Sequence, residues 1–130
     1  MELLNIYQCL CDHTRLRILN LLRDGPLCVC HLQAVLRAPQ VKVSKHLHYL
    51  KAHRMVEVRK AGNWRVYRLS RRRSRQLETN LRCLQDCVAE DPLFRRDAAL
   101  LAKLRGELTA NRPACTPPLL PKVSRRVCAC

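Results

Sequence analysis

Nine cysteines stand in 130 residues, most of them in close pairs. One residue separates Cys9 from Cys11, Cys28 from Cys30 and Cys128 from Cys130. Cys83 and Cys87 are four apart, and Cys115 stands alone. Thiolates at such spacing can chelate a soft ion or exchange electrons as a dithiol. An odd number of cysteines in Cys-x-Cys pairs does not suit the disulfide framework of a secreted domain. Disulfides between such near neighbours are strained, which favours a metal over a redox partner. The other chemistry-bearing set is basic. Lys and Arg total 25 and Asp and Glu total 10, a formal net charge of +15. Residues 1–70 hold 12 basic and 4 acidic groups, and residues 71–130 hold 13 and 6, so the charge is spread along the chain. Such a field favours a polyanion. Tyr7, Tyr49, Trp64, Tyr67 and Phe94 are too few aromatics for a platform on which single-stranded bases stack. Charge and thiols together predict a protein that binds nucleic acid and answers to a thiophilic ligand.

Other classes are disfavoured. No run approaches the roughly 18 apolar residues needed to span a bilayer, so no membrane partner is expected. The start Met1-Glu2-Leu3-Leu4-Asn5 lacks the basic opening and long apolar stretch of an export signal, which predicts a cytoplasmic location. There is no Gly-rich phosphate loop, no Cys-x-x-Cys before a βαβ unit and no framed carboxylate pair. Neither an enzyme nor a catalytic cofactor is expected.

The periodicity supplies the elements that must position these groups. Leu3, Leu4, Tyr7 and Leu10 predict a first helix. Leu16, Ile18, Leu19 and Leu22 predict a second, capped by Asp12 or Thr14 and stopped at Gly25-Pro26. A short third helix over 28–37 turns Leu32, Val35 and Leu36 inward. Ala38-Pro39-Gln40 then leads into a fourth, from about Gln40 to His53, with Val43, Leu47 and Leu50 buried. Two short helices joined by a tight turn make a helix-turn-helix. Alternation then replaces the helical period over Val56–Lys60 and Trp64–Leu69, with Gly62-Asn63 at the turn, which predicts a β-hairpin. The fold class is thus mainly α with a β-hairpin wing, a winged helix-turn-helix. Leu77, Leu81, Leu84 and Val88 give a fifth helix. A further helix starts at Asp91-Pro92, with Leu93, Phe94, Leu100, Leu101, Leu104 and Leu108 apolar. Residues 1–110 read as one DNA-binding and dimerisation domain. Residues 111–130, with Pro113, Pro117, Pro118 and Pro121, read as a flexible tail.

Four segments resemble the ArsR/SmtB family of metal-responsive winged-helix repressors, in its arsenic-sensing branch. They are the second-helix entry Asp12-His13-Thr14-Arg15-Leu16-Arg17-Ile18-Leu19, the metal motif Leu27-Cys28-Val29-Cys30-His31-Leu32, the recognition core Val43-Ser44-Lys45-His46-Leu47 and the wing Gly62-Asn63-Trp64-Arg65-Val66-Tyr67-Arg68-Leu69. The resemblance covers about residues 3–90. It implies a homodimer that occupies double-stranded operator DNA and leaves it when trivalent arsenic (arsenite) or antimonite binds as regulatory ligand. Two positions depart from the family pattern. Gln33 stands where the branch has a third cysteine. His53-Arg54 stands where the turn into the wing has glycine, so Arg54 is expected to need another backbone route out of the helix.

On the fourth helix, Gln40, Lys42, Ser44, Lys45, His48 and Lys51 face outward and suit base edges and phosphates. His46 either joins them or packs on the preceding helix. Arg59, Lys60, Arg65 and Arg68 on the hairpin suit phosphate or the minor groove. Trp64 and Tyr67 are expected to pack beneath it. Cys28 and Cys30 are the expected ligand thiolates, because a helix N-terminus lowers thiol pKa. Trivalent arsenic wants three sulfurs, and the third could come from Cys115, Cys128 or Cys130. Two sulfurs suffice for a methylated trivalent arsenical. His31 is expected to point away. Cys83 and Cys87 share one helix face, as core filler or as an alternative dithiol site. Cys9 and Cys11 are expected to pack. Thiol-redox sensing and Zn or Cd sensing on the same fold remain alternatives.

Overall fold

The computed structural model describes residues 2–110, with side chains to residue 106. The tail and its Cys115, Cys128 and Cys130 lie outside the described residues. In chain order the elements are α1 (Glu2–Leu10), α2 (His13–Leu22), β1 (Leu27–Cys28), α3 (Val29–Leu36), α4 (Gln40–Ala52), β2 (Val56–Ala61), β3 (Trp64–Leu69), α5 (Arg75–Val88) and α6 (Pro92–Ala110). Helices surround a small antiparallel sheet of order β1-β3-β2.

Local chemistry explains the boundaries. Asp12 caps α2, its carboxylate accepting the Arg15 N–H at 3.0 Å. Gly25, at φ 134°, ends the turn that follows. Ser74 caps α5 by accepting the Leu77 N–H at 3.1 Å, so this helix begins at Arg75, inside the basic run. Asp91 accepts the Leu93 N–H at 2.9 Å, and Pro92 opens α6. The hairpin turn takes Gly62 at φ 60°.

One element departs from the periodicity. The third helix starts at Val29, and Leu27–Cys28 form a strand that pairs with β3, Leu27 opposite Tyr67 and Cys28 opposite Val66. The wing is therefore three-stranded and built in part from the cysteine motif. Tyr67 is buried under it, and Trp64 is half-buried at its tip.

The core gathers Ile18, Leu19, Leu21 and Leu22 of α2, Leu32 and Val35 of α3, Val43, Leu47 and Leu50 of α4, and Met55, Val56 and Tyr67 near the sheet. On α1 the buried residues are Ile6 and Cys9. Leu4 and Tyr7 stay 57% and 52% exposed, while Leu10 packs half-buried against the core. α6 packs on α2 through an ion pair no periodicity signals. The fully buried Asp97 receives the Arg17 guanidinium in two hydrogen bonds of 2.8 Å. The hydrogen bonds raise the Arg17 pKa further, against its burial.

Arg54 takes no alternative route. It adopts the left-handed conformation itself, at φ 61°. The end of α4 is then a Schellman motif. The Arg54 N–H donates to the Lys51 carbonyl at 3.0 Å, and the Met55 N–H donates to the Leu50 carbonyl at 2.9 Å. Met55 and Leu50 are both buried against it. A left-handed L-residue costs about 1–2 kcal/mol, and glycine returns part of that as unfolded-state entropy. Arg54→Gly should therefore stabilise the chain by about 0.5–1 kcal/mol and raise its melting temperature, whereas Arg54→Val should lower it. Thermal unfolding followed by circular dichroism measures both.

Candidate thiolate centre and nucleic-acid interface

The thiolate centre forms where β1 hands over to α3. Cys28 is extended, at φ −86° and ψ 164°, and is the N-cap residue of α3. Its ladder with Val66 fixes the backbone on one side, and the helix fixes it on the other. The helical rotation then returns Cys30 and His31 toward it. Cys28 Sγ lies 2.7 Å from Cys30 Sγ and 3.2 Å from His31 Nδ1, and the Cys28 N–H meets the same Nδ1 at 3.4 Å. His31 does not point away. Because the helix starts one residue later than its periodicity suggests, His31 is its third residue and reaches back over the N-terminus. The three donor atoms lie within 4.8 Å of one another.

The two sulfurs are hydrogen-bonded to one another, and either can be the donor. The hydrogen bond from Cys30 pulls the Cys28 thiol down to about 4, against burial and with the His31 contacts adding to it. The same bond, with burial, pushes the Cys30 thiol well above its ordinary range. Both cysteines are free of disulfides, Cys28 buried and Cys30 half-buried. A thiolate beside a thiol, near a helix N-terminus and half shielded from water, suits a soft electrophile that takes both sulfurs and releases the remaining proton.

The remaining thiols divide. Cys9 is fully buried, and burial raises its pKa, as packing requires. Cys11 is exposed and does not pack. Cys83 and Cys87 are exposed on α5 and hydrogen-bonded to one another, which raises the Cys87 pKa; within the chain they fill no core.

The basic face is carried by α4 and the hairpin. With Val43, Leu47 and Leu50 buried, Gln40, Lys42, Lys45, His48 and Lys51 are exposed and Ser44 is half-buried at the edge. His46 turns inward. Its Nδ1 lies 3.9 Å from the Asp12 carboxylate at the α2 cap, and burial lowers its pKa more than that carboxylate raises it. The neighbour it meets is the cap of α2, not the preceding helix α3. Arg59, Lys60 and Arg65 are exposed on the hairpin. Arg68 instead crosses the ladder to Glu57 at 2.8 Å. Glu57 also accepts the Arg71 N–H at 3.1 Å, and these bonds hold its carboxyl below the usual range. Val41 is a residue the sequence reading missed. It is 80% exposed on α4, beside Lys45 and one turn from it, where an apolar group can meet a thymine methyl. Its signal was an isolated β-branched residue at an outward helical position.

A helix-turn-helix that carries a basic hairpin defines a winged helix-turn-helix, a DNA-binding class. The model of a family described as bacterial regulatory protein, arsR family, matches residues 12–58, from the α2 cap into β2. The arsenic resistance transcriptional regulator ArsR1 of Pseudomonas putida KT2440 is 34% identical over 111 residues, 85% of this chain and 84% of that protein. The arsenical resistance operon repressor of Escherichia coli K12 is 43% identical over 68 residues, 52% of this chain and 58% of that protein. Among solved structures, HlyU from Vibrio cholerae N16961 superimposes with a TM-score of 0.62 at 26% identity, over 68% of this chain and 94% of that one. The chain belongs to the ArsR family of transcriptional regulators.

The hydrogen-bonded pair makes a measurable prediction. The Cys28 pKa is depressed to about 4, so its thiolate forms as pH rises through that value. At about pH 6, well below the usual thiol range, the reduced protein should show one more thiolate by ultraviolet absorbance than Cys28→Ser does. Cys30→Ser should move the onset of that absorbance upward. Equal absorbance of protein and Cys28→Ser until alkaline pH would contradict the lowered Cys28 pKa.

Proposed function

We propose that the chain is a transcriptional repressor that binds operator DNA as a homodimer and leaves it when trivalent arsenic is held by Cys28 and Cys30. Relatives named for arsenic resistance and for repression support the ligand and the sign of the response. The exposed α4 face and the hairpin arginines support the DNA partner: Lys42, Ser44, Lys45 and Lys51 on phosphates and base edges, Arg59, Lys60 and Arg65 along the adjacent backbone. Leu4 and Tyr7 stand exposed on α1, a helix that packs against α5, which supports a two-fold partner through these helices. None of the described helices is long and apolar enough to cross a membrane. We place the protein with its operator in the cytoplasm.

One observation carries the reading. Cys28 is at once a thiolate of the centre, the N-cap of α3 and the ladder partner of Val66 in the wing. The donor set fits the ligand, since two sulfurs lie in contact and are hydrogen-bonded to one another. Trivalent arsenic, when bound, supplies a strong bond to each thiolate. Antimony offers the same chemistry. Cys28 and Cys30 must then hold a spacing set by those bonds, and the backbone of Cys28 follows its sulfur. That backbone is paired with Val66 of β3, beside Arg65, and it opens the helix that precedes α4. A displacement at Cys28 thus reaches the wing and the recognition helix together. A tenfold release needs only about 1.4 kcal/mol of preference for the displaced form. Among the described residues the centre offers two sulfurs, which completes the coordination of a monomethyl arsenical. Arsenite needs a third, for which Cys115, Cys128 and Cys130 are the candidates.

A DNA-release titration of reduced protein with arsenite and methylarsenite tests the reading. Cys28→Ser and Cys30→Ser should bind operator within about threefold of the unsubstituted protein, a difference under about 0.7 kcal/mol, and should not release it. Release that survives in both variants and disappears in Cys83→Ser or Cys87→Ser would move the sensor to α5 and overturn the assignment.

A further inference from the structure

We propose that Val41 selects a thymine in each operator half-site, its methyl groups packing on the C5-methyl of that base in the major groove. The proposal rests on the operator-DNA reading above and adds to it a contact that specifies sequence.

The helical period puts Val41 on the outermost line of α4. Val43, Leu47 and Leu50 are the buried stripe of that helix. At about 100° per residue, Val41, Lys45 and His48 (i, i+4, i+7) form the line opposite that stripe, and all three are exposed. Val41 is the second residue of α4, in the first turn, where a recognition helix meets base edges. It is 80% exposed, more than Leu4 or Tyr7, the other large apolar side chains that stand out among the described residues. Single exposed apolar residues are ordinary on a protein surface. This one is set between Gln40 and Lys42 and one turn from Lys45, the side chains that suit base edges and phosphates. It takes no part in the core, and a β-branched residue does not favour a helix. Solubility and phosphate binding would both be served better by a polar or basic side chain. Valine supplies instead a stiff apolar contact, and the major groove offers one apolar partner, the thymine methyl. Its place in the groove differs between A·T and T·A, so the contact discriminates by base and by strand.

Removing the methyl from the base and the methyls from the protein, singly and together, tests this. The reduced full-length protein first selects its site from a random duplex library. Each thymine of one selected half-site is then replaced by deoxyuridine, which lacks only the methyl group. One thymine should be sensitive, its replacement lowering affinity about fourfold. Val41→Ser should bind the thymine duplex as weakly as the unsubstituted protein binds the deoxyuridine one, and should not distinguish the two. Val41→Thr keeps one methyl group and should still distinguish them. The salt dependence of binding should be unchanged in Val41→Ser, because no charge is lost. If no thymine is sensitive, or if Val41→Ser keeps the full sensitivity, Val41 does not read the base and the proposal is overturned. Failure of the operator reading itself shows differently, as a library from which no sequence is enriched, and it overturns this proposal as well.

Discussion

The antiparallel pairing of Cys28 with Val66 is the constraint on which the site depends. Without it, the cysteine motif would be the first turn of a free helix. With it, Cys28 is held extended, α3 starts at Val29, and the rotation of that helix brings Cys30 and His31 back to the Cys28 sulfur. The same pairing places the thiolate one peptide from the neighbour of a wing arginine. Val66 opposes Cys28 on one edge of β3 and Arg59 on the other, so β3 is the shared strand between sensor and hairpin. A ladder of hydrogen bonds transmits displacement along a stiff path because slipping it by one residue would turn Tyr67 out of the core.

A second set of contacts seats the recognition helix. The Arg15 guanidinium donates to the Gln8 and Cys9 carbonyls at 3.0 Å, closing the end of α1, and lies 4.3 Å over the Tyr49 ring of α4. His46 of α4 faces the Asp12 cap of α2. His53 bonds Asn5 of α1, whose amide donates to the His53 carbonyl at 3.2 Å. These polar ties surround the apolar stripe Val43, Leu47 and Leu50, so the outward face of α4 keeps a fixed heading. Arg17 and Asp97 clamp α6 to α2 on the far side. The family motif Asp12-His13-Thr14-Arg15 thus has a physical meaning, since its charged members cap one helix, close another and support a third.

Much of this was legible in the sequence. The change from a period of 3.6 to a period of 2 after Ala52 marks the passage from α4 to the hairpin, and Gly62 marks its turn. Cys28 and Cys30 declared themselves by spacing. The strand β1 did not, because two residues have no period, and its existence depends on a partner almost 40 positions away. His31 followed from that omission. Its direction reverses when the helix starts one residue later. The Arg17–Asp97 pair spans 80 positions with no periodic sign. Arg54 was expected to avoid the left-handed region, but the Schellman bonds and the burial of Met55 outweigh its strain. The inner face of α1 uses Ile6 and Cys9, which the leucine spacing does not mark.

The central claim is that the thiolate centre acts on the wing through β1 and β3. Amide hydrogen exchange of the reduced, operator-free protein, with and without methylarsenite, tests it most directly. Protection should fall at least about tenfold for the amides that bond β1 to β3 at Leu27–Cys28 and Val66–Tyr67, a loss of about 1.4 kcal/mol in local stability, while the amides that bond β3 to β2 keep their protection. Unchanged exchange in β3, with the response confined to α5 or to α3 alone, would contradict it.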